Sequence, residues 1–260
     1  MKILKLDSHS VFGTDGSGNQ VKMWLNNSLI KVNSKYKEAT KEVDAYKLGS
    51  AMGLYCAEYT SLLVNYRGSE RRACMSESFL LKDEIELTVA YIIDLHNISI
   101  PMNLSAVEYI DIVVKTISDF TGIDSEAVYT WLYDMLVFDY IICNDDRHLT
   151  NFEVLYSKAK GSYRLAPYYD HGESFFRTDS VLSIQNYEKC EHKYKSKPFS
   201  SNPDKNLGDY VRARVSFIRM INTVGGINGI KSLDISQGHK LTVLRRIHRL
   251  EKLLSVSFEP

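Results

Sequence analysis

CNDDRHLTN, residues 143–151, packs two carboxylates, two carboxamides, a histidine and an arginine into nine positions. It follows DSEAVYTWLYDMLVFDYIIC (124–143), where Val128, Trp131, Leu132, Met135 and Leu136 recur at the helical period behind Asp124 or Ser125 as N-cap. Tyr129, Tyr133, Val137 and Phe138 add apolar surface on the other sides, so this helix is predicted to be buried nearly all round. A buried helix ending in a dense polar run is either a positioned site, a metal cup or a polar turn.

The downstream sequence separates these. FEVLYSKAKGSYRLAPYY (152–169) reads as two extended runs about a turn centred near Lys160 and Gly161, which sets Asn151 and Asp170 roughly opposite each other at the open end. Side chains so opposed have Cβ atoms about 4.5–5.5 Å apart. A carboxamide and a carboxylate at that separation suit magnesium, which takes few protein oxygens and keeps water and phosphate in its other positions. The acidic run lacks the bend glycine and closing glutamate of a calcium loop. The plainer alternative is that Asn151 and Asp170 only cap the hairpin.

Asp146 and Asn151 also stand in the D-x-x-x-x-N spacing of a phosphotransfer loop, with the acid as catalytic base and the amide on magnesium. Asp145 is the competing base and misses that spacing by one residue. His148 either orients the loop or lies near phosphate.

Upstream, LIKVN places Lys31 on an apolar strand, an unusual setting for an ammonium unless it meets an anion. A helix from about Thr40, with Ala45, Leu48 and Met52 as its stripe, offers Glu42 as counter-ion, with Glu38 as the alternative. GTDGSGNQVK (13–22) carries Gly13, Gly16 and Gly18, which permit close approach to phosphate but form no Walker A sequence. With Asn26-Asn27 as a turn and extended runs at 57–66 and 73–81, the first part reads as a small antiparallel sheet. From Asp83 the pattern turns helical and ends in LTVLRRIHRLEKLLSVSF (241–258), with Leu241, Leu244, Ile247, Leu250 and Leu254 as an apolar stripe and the arginines elsewhere. The fold class expected is α+β and bilobal: a β-rich lobe at 1–82 and a larger helical lobe at 83–260.

Composition bounds the function. Lys+Arg and Asp+Glu are equal at 32 each, which argues against direct nucleic-acid binding. No run of 18 apolar residues and no signal peptide is present, so no membrane association is expected and the location expected is cytoplasmic, or secreted without a recognisable leader. Cys56, Cys74, Cys143 and Cys190 have no metal or disulfide spacing and are expected to be reduced.

Four separated stretches, GNQVKMWL (18–25), LIK (29–31), NDDRHLTNF (144–152) and LAPYYDHG (165–172), resemble the HipA-like kinases, a bacterial branch of the protein-kinase-like fold. The resemblance implies an ATP- and Mg2+-dependent serine/threonine protein kinase. In it Gly18, Gln20 and Lys22, with Ser17 and Asn19 beside them, form the phosphate loop, and Lys31 contacts phosphate. Glu77, Ser78 and Phe79 are the lobe-linking segment whose backbone meets adenine. Asp146 is the base, Asn151 and Asp170 the metal ligands, and His148 and Tyr169 line the nucleotide site. It also implies autophosphorylation, for which Ser17 is the acceptor here, while Asp15 stands where some members carry another serine. A toxin role with an antitoxin partner is a further implication. The extra N-terminal segment of longer members is expected to be missing. Other readings keep the ATP site but phosphorylate a small molecule, transfer AMP, or bind nucleotide as a pseudokinase scaffold. RTDSVLSIQNYEKCEHKYKSKPFSS (177–201) reads as a mobile activation-type segment or an ordinary surface loop, and the substrate protein is not legible.

Overall fold

The computed structural model describes residues 3–6, 20–176 and 184–258. A five-stranded sheet comes first, formed by β1 (Ile3–Leu6), β2 (Val21–Leu25), β3 (Ser28–Val32), β4 (Thr60–Tyr66) and β5 (Ser69–Glu77) in the order β1-β4-β5-β3-β2. All neighbours are antiparallel except β1 and β4. Two tight hairpins set the register. Asn26 (φ 54°) lies in the turn that pairs Lys22 with Lys31, and Arg67 and Gly68 (φ 52° and 77°) both take the left-handed conformation that a two-residue hairpin loop favours. Met23, Ile30, Val32, Val64 and Ala73 fill one face of the sheet. Helix α1 (Glu38–Ala51) covers the other, packing Ala39 and Val43 against Ala57, Tyr59 and Cys74.

After β5 the chain crosses to a second body. Its first element is a strand, β6 (Glu84–Thr88), where the sequence had suggested helix from Asp83 onward. The short run EIELT is paired by tertiary contact with β7 (Glu153–Ser157), which in turn pairs with β8 (Ser162–Leu165). The hairpin register joins Ser157 to Ser162 and Tyr156 to Tyr163, so the turn is centred one residue earlier than Lys160 and Gly161. Helices α2 (Val89–Leu95), α3 (Ala106–Thr121), α4 (Ser125–Ile142), α5 (Ile184–Glu191), α6 (Pro203–Asn206), α7 (Tyr210–Thr223), α8 (Gly226–Ser232) and α9 (Gln237–Leu253) complete it.

The core is built around α4, whose thirteen buried residues include polar Asp134 and Asp139 and face α3, α7 and α9. Asp124 caps it, accepting from Ala127 N–H at 3.1 Å. The final helix corrects one expectation: Arg246 is only 1% exposed. Its guanidinium lies 3.6 Å from the Tyr140 ring, donates to Tyr140 O at 3.1 Å and pairs with Glu191 at 3.0 Å. A planar cation stacked on an aromatic ring tolerates burial that a lysine would not. No helix among the described residues is long and apolar enough to cross a membrane, and all four cysteines are free thiols.

Candidate active site

Helix α4 delivers the acidic run by ending abruptly. Cys143 caps it in the left-handed region (φ 53°), turning the chain out of the helix. Asn144 then bonds back, donating Nδ2 to Asp139 Oδ1 at 2.9 Å and accepting from Asp146 N–H at 3.2 Å. Arg147, fully buried, folds under the loop and forks onto Asp139 through Nε (2.7 Å) and Nη2 (3.1 Å). Its Nη1 donates to both Asn151 O and Tyr169 O at 2.8 Å. One guanidinium therefore ties the catalytic-type loop to the turn that bears Asp170, and the two carbonyl oxygens lie no further apart than twice that length. The last cross-strand backbone bond runs from Ala166 N–H to Glu153 O at 3.0 Å, and beyond it this cation joins the two ends. Burial alone would lower the Arg147 guanidinium, but Asp139 outweighs it and holds the charge.

Asp146, left on the outside of this turn, is 40% exposed. Its Oδ1 meets His148 Nε2 at 2.6 Å and Lys197 Nζ at 3.0 Å. Asp145 instead donates its backbone N–H to Glu173 O at 3.5 Å. Asn151 donates Nδ2 to Asp146 O at 2.8 Å, which aims its other amide atom, the oxygen, away from that bond.

Across the cleft, Lys31 leaves β3 and ion-pairs with Glu42 and, at 2.7 Å, with Asp170. The pairing expected of Lys31 with Glu42 forms; Glu38 instead accepts from Ser34 N–H at 3.0 Å and closes the entry to α1. Glu42 also accepts from His171 N–H at 2.8 Å, and Asp170 is held at φ 59°. Burial would lower the Lys31 ammonium, yet Asp170 and Glu42 beside it hold it well above its usual value. Lys31 in turn holds the Asp170 carboxyl far below the carboxylate range against its own burial, with Lys22 adding to the effect. Lys22 and Lys31 are directly opposite in the β2–β3 ladder, a like-charge juxtaposition that costs energy unless anions lie between them.

A cleft of about 260 Å³ opens between the sheet and the β6–β7–β8 sheet. Lys22, Lys31 and Asp170 line one end; Leu29, Ala57, Phe79 and Tyr169 line an apolar end, where the Phe79 and Tyr169 rings lie 5.6 Å apart. Glu77 and Ser78 border it as well. Ser78 N–H donates to Asn27 O at 2.8 Å, so a base edge would be met by other backbone groups of this segment. Gln20 lies nearby in sequence, its Nε2 buried with no partner among the described residues. Ser17, Gly18 and Asn19, with Asp15, Gly13 and Gly16, fall outside the described residues.

Sequence reasoning missed three groups. Trp24 and Leu29 line the cleft because they pair two residues along from Lys22 and Lys31 on the same face, a signal the Asn26-Asn27 turn already contained. Glu153, two positions after Asn151, reaches into the cleft with Glu86; it is 6% exposed and bonds Tyr169 OH at 2.6 Å. Burial pushes its carboxyl up to about 7, against the Tyr169 bond and helped by Glu86. Lys197 had no local signal.

The chemistry of the donors suits magnesium: a hard carboxylate held ionised and a carboxamide whose nitrogen is already committed, with room in the cleft for phosphate and water. Among the described residues no group of three or more His, Cys, Asp or Glu side chains could hold a metal ion.

The two bodies, the cleft between them and the β3 lysine paired to a helix acid define a kinase-like fold. The HipA-like C-terminal domain family matches residues 17–222, and the chain belongs to it. Among solved structures it is similar to the Helicobacter pylori proinflammatory kinase CtkA, at 16% identity and TM-score 0.64, with 92% of each chain covered. It is also similar to HipA of the Shewanella oneidensis MR-1 toxin–antitoxin system, solved with HipB and operator DNA, at 12% identity and TM-score 0.58, covering 97% of this chain and 69% of that one. No curated protein matches the sequence.

Proposed function

We propose that the chain is an ATP- and magnesium-dependent serine/threonine protein kinase of HipA-like type, with lobes divided near residue 82. One observation carries the reading: Arg147 ties the loop from Asp146 to Asn151 to the turn bearing Asp170, and Asp170 lines a cleft together with Lys22 and Lys31. Adenine would lie at the apolar end between Leu29 and Tyr169, with Glu77 to Phe79 along its edge. The phosphates would lie against Lys22 and Lys31, with Ser17, Gly18, Asn19 and Gln20 as further phosphate-binding residues. Lys31 would meet phosphate with Glu42 keeping its ammonium in place, and Asp170 with the Asn151 amide oxygen would hold the metal. Magnesium, when bound, would neutralise developing charge on the phosphates. Asp146 orients the acceptor hydroxyl and takes its proton, with His148 fixing that carboxylate. Such catalysis is mainly positioning and electrostatics, which the buried scaffold under the loop supplies.

Membership of the HipA-like family and the toxin–antitoxin setting of the similar Shewanella protein support two finer readings. Ser17 is the acceptor of an autophosphorylation that switches the enzyme, and a protein antitoxin is a partner. The test is label transfer to the proteins of a cell extract from ATP labelled in the γ or the α phosphate. Label from the γ position on protein is the expected result. Label from the α position would mean AMP transfer, label on small molecules only a metabolite kinase, and Mg-ATP binding without any turnover a pseudokinase.

A further inference from the structure

Asp146 is approached by a cation from outside its own loop. Lys197 lies 51 residues downstream, beyond α5, yet its Nζ donates to Asp146 Oδ1 at 3.0 Å and lies 3.1 Å from His148 Nε2. The His148 nitrogen facing Asp146 must carry the hydrogen in that contact, so Lys197 is a donor to the carboxylate and not to the ring. Both donors use Oδ1, and among the described residues Oδ2 is left for a further proton.

The segment bearing Lys197 is fixed by one buried side chain. Asn206 donates Nδ2 to Lys197 O at 2.9 Å, and its Oδ1 accepts from Phe199 N–H at 2.9 Å and Ser200 N–H at 2.8 Å. Ser196 Oγ adds a bond to Ser200 O at 2.7 Å, and the buried Phe199 ring sits edge-on to Tyr109 at 5.0 Å. Residues 196–200 therefore form a hydrogen-bonded turn, while 177–183 of the segment read as mobile or as an ordinary surface loop fall outside the described residues. A plain surface ion pair contributes about 0–1 kcal/mol and needs no such frame. The charge also fills a gap: Arg147, the strong cation of the loop itself, is turned inward and spent on Asp139.

Resting on the kinase reading above, we infer that Lys197 neutralises the phosphoryl group as it passes to the acceptor at Asp146. In that step the acceptor oxygen bonds to the γ-phosphorus while the bond to the β–γ bridging oxygen breaks, its electrons leaving with ADP. The hydroxyl proton passes to Asp146 Oδ2. Lys197 moves its hydrogen bond from Asp146 toward a non-bridging γ oxygen.

The test is ADP release from Mg-ATP by the full chain with myelin basic protein as hydroxyl acceptor, alongside binding of a fluorescent ATP analogue. Lys197→Met should lower kcat about 100-fold while KM and analogue affinity stay within about threefold, and Lys197→Arg should recover most of the loss. Asn206→Ala, which unpins the turn, should lower kcat by less. A Lys197→Met chain with kcat within about twofold of wild type makes the contact an ordinary ion pair, and a raised kcat makes it a mask over the base; either overturns the inference. Wild type that releases no ADP, or Asp146→Asn that releases it undiminished, overturns the kinase reading instead, and the inference with it.

Discussion

Two ionic clusters meet within CNDDRHLTN, and they differ in one property. The Arg147–Asp139 pair is buried, with side chains 0% and 4% exposed, and every contact of its guanidinium is internal. The Asp146–His148–Lys197 cluster is 40–45% exposed, on the outside of the same turn. Buried charges without partners cost several kcal/mol, so the first cluster must be complete for the loop to exist. Half-exposed charges have water as an alternative partner, so the second can exchange contacts without unfolding anything. The lesson is a division of labour: one set of charges builds the loop, the other remains free to act.

Substitutions at the other charged residues of the site should likewise separate activity from stability. The largest effect expected is at Asp170: Asp170→Asn should lower transfer about 10³-fold with the fold retained, read as kcat beside a thermal melt, because the metal loses its charged ligand. Arg147→Met should instead lower stability by about 3–5 kcal/mol, leaving Asp139 buried without its partner, and would show in urea denaturation. Equal behaviour of the two variants would break the comparison. Glu42→Gln, which keeps the acceptor for His171 N–H but removes the charge facing Lys31, should cost about 1.5–3 kcal/mol by the same denaturation.

Glu153 gives an effect of the opposite sign and a pH signature. Its folded carboxyl titrates at about 7, above its ordinary value of 4.5, so the folded state holds a proton that the unfolded state releases. Stability from this group is undiminished below about pH 4.5, falls as pH rises toward about 7 and stays lowered above, by up to about 3 kcal/mol. Glu153→Gln should therefore match wild type near pH 4.5 and exceed it at pH 8, checked by urea midpoints at both. A gain independent of pH would contradict this.

Much of the site was legible because it is local. The D-x-x-x-x-N spacing, the Asn26-Asn27 turn and the apolar setting of Lys31 each express a constraint within a few residues, and Lys31 does meet Glu42. The helix behind the loop was readable from its all-round apolar surface. What escaped depends on distant partners. EIELT becomes a strand only because β7 lies beside it. Arg246 is buried only because Tyr140 and Glu191 receive it. Lys197 reaches Asp146 because Asn206 holds its backbone, and nothing within KSKPFSS announces that.

The most direct measurement compares wild-type chain with Asp146→Asn for transfer of the γ-phosphoryl of Mg-ATP onto extract proteins, at matched folding by thermal melt. The account predicts labelling by wild type and a loss of about 10²–10⁴-fold in the variant, whose buried scaffold is untouched. Equal labelling by the two chains would contradict it, since the exposed cluster would then have no part in the chemistry.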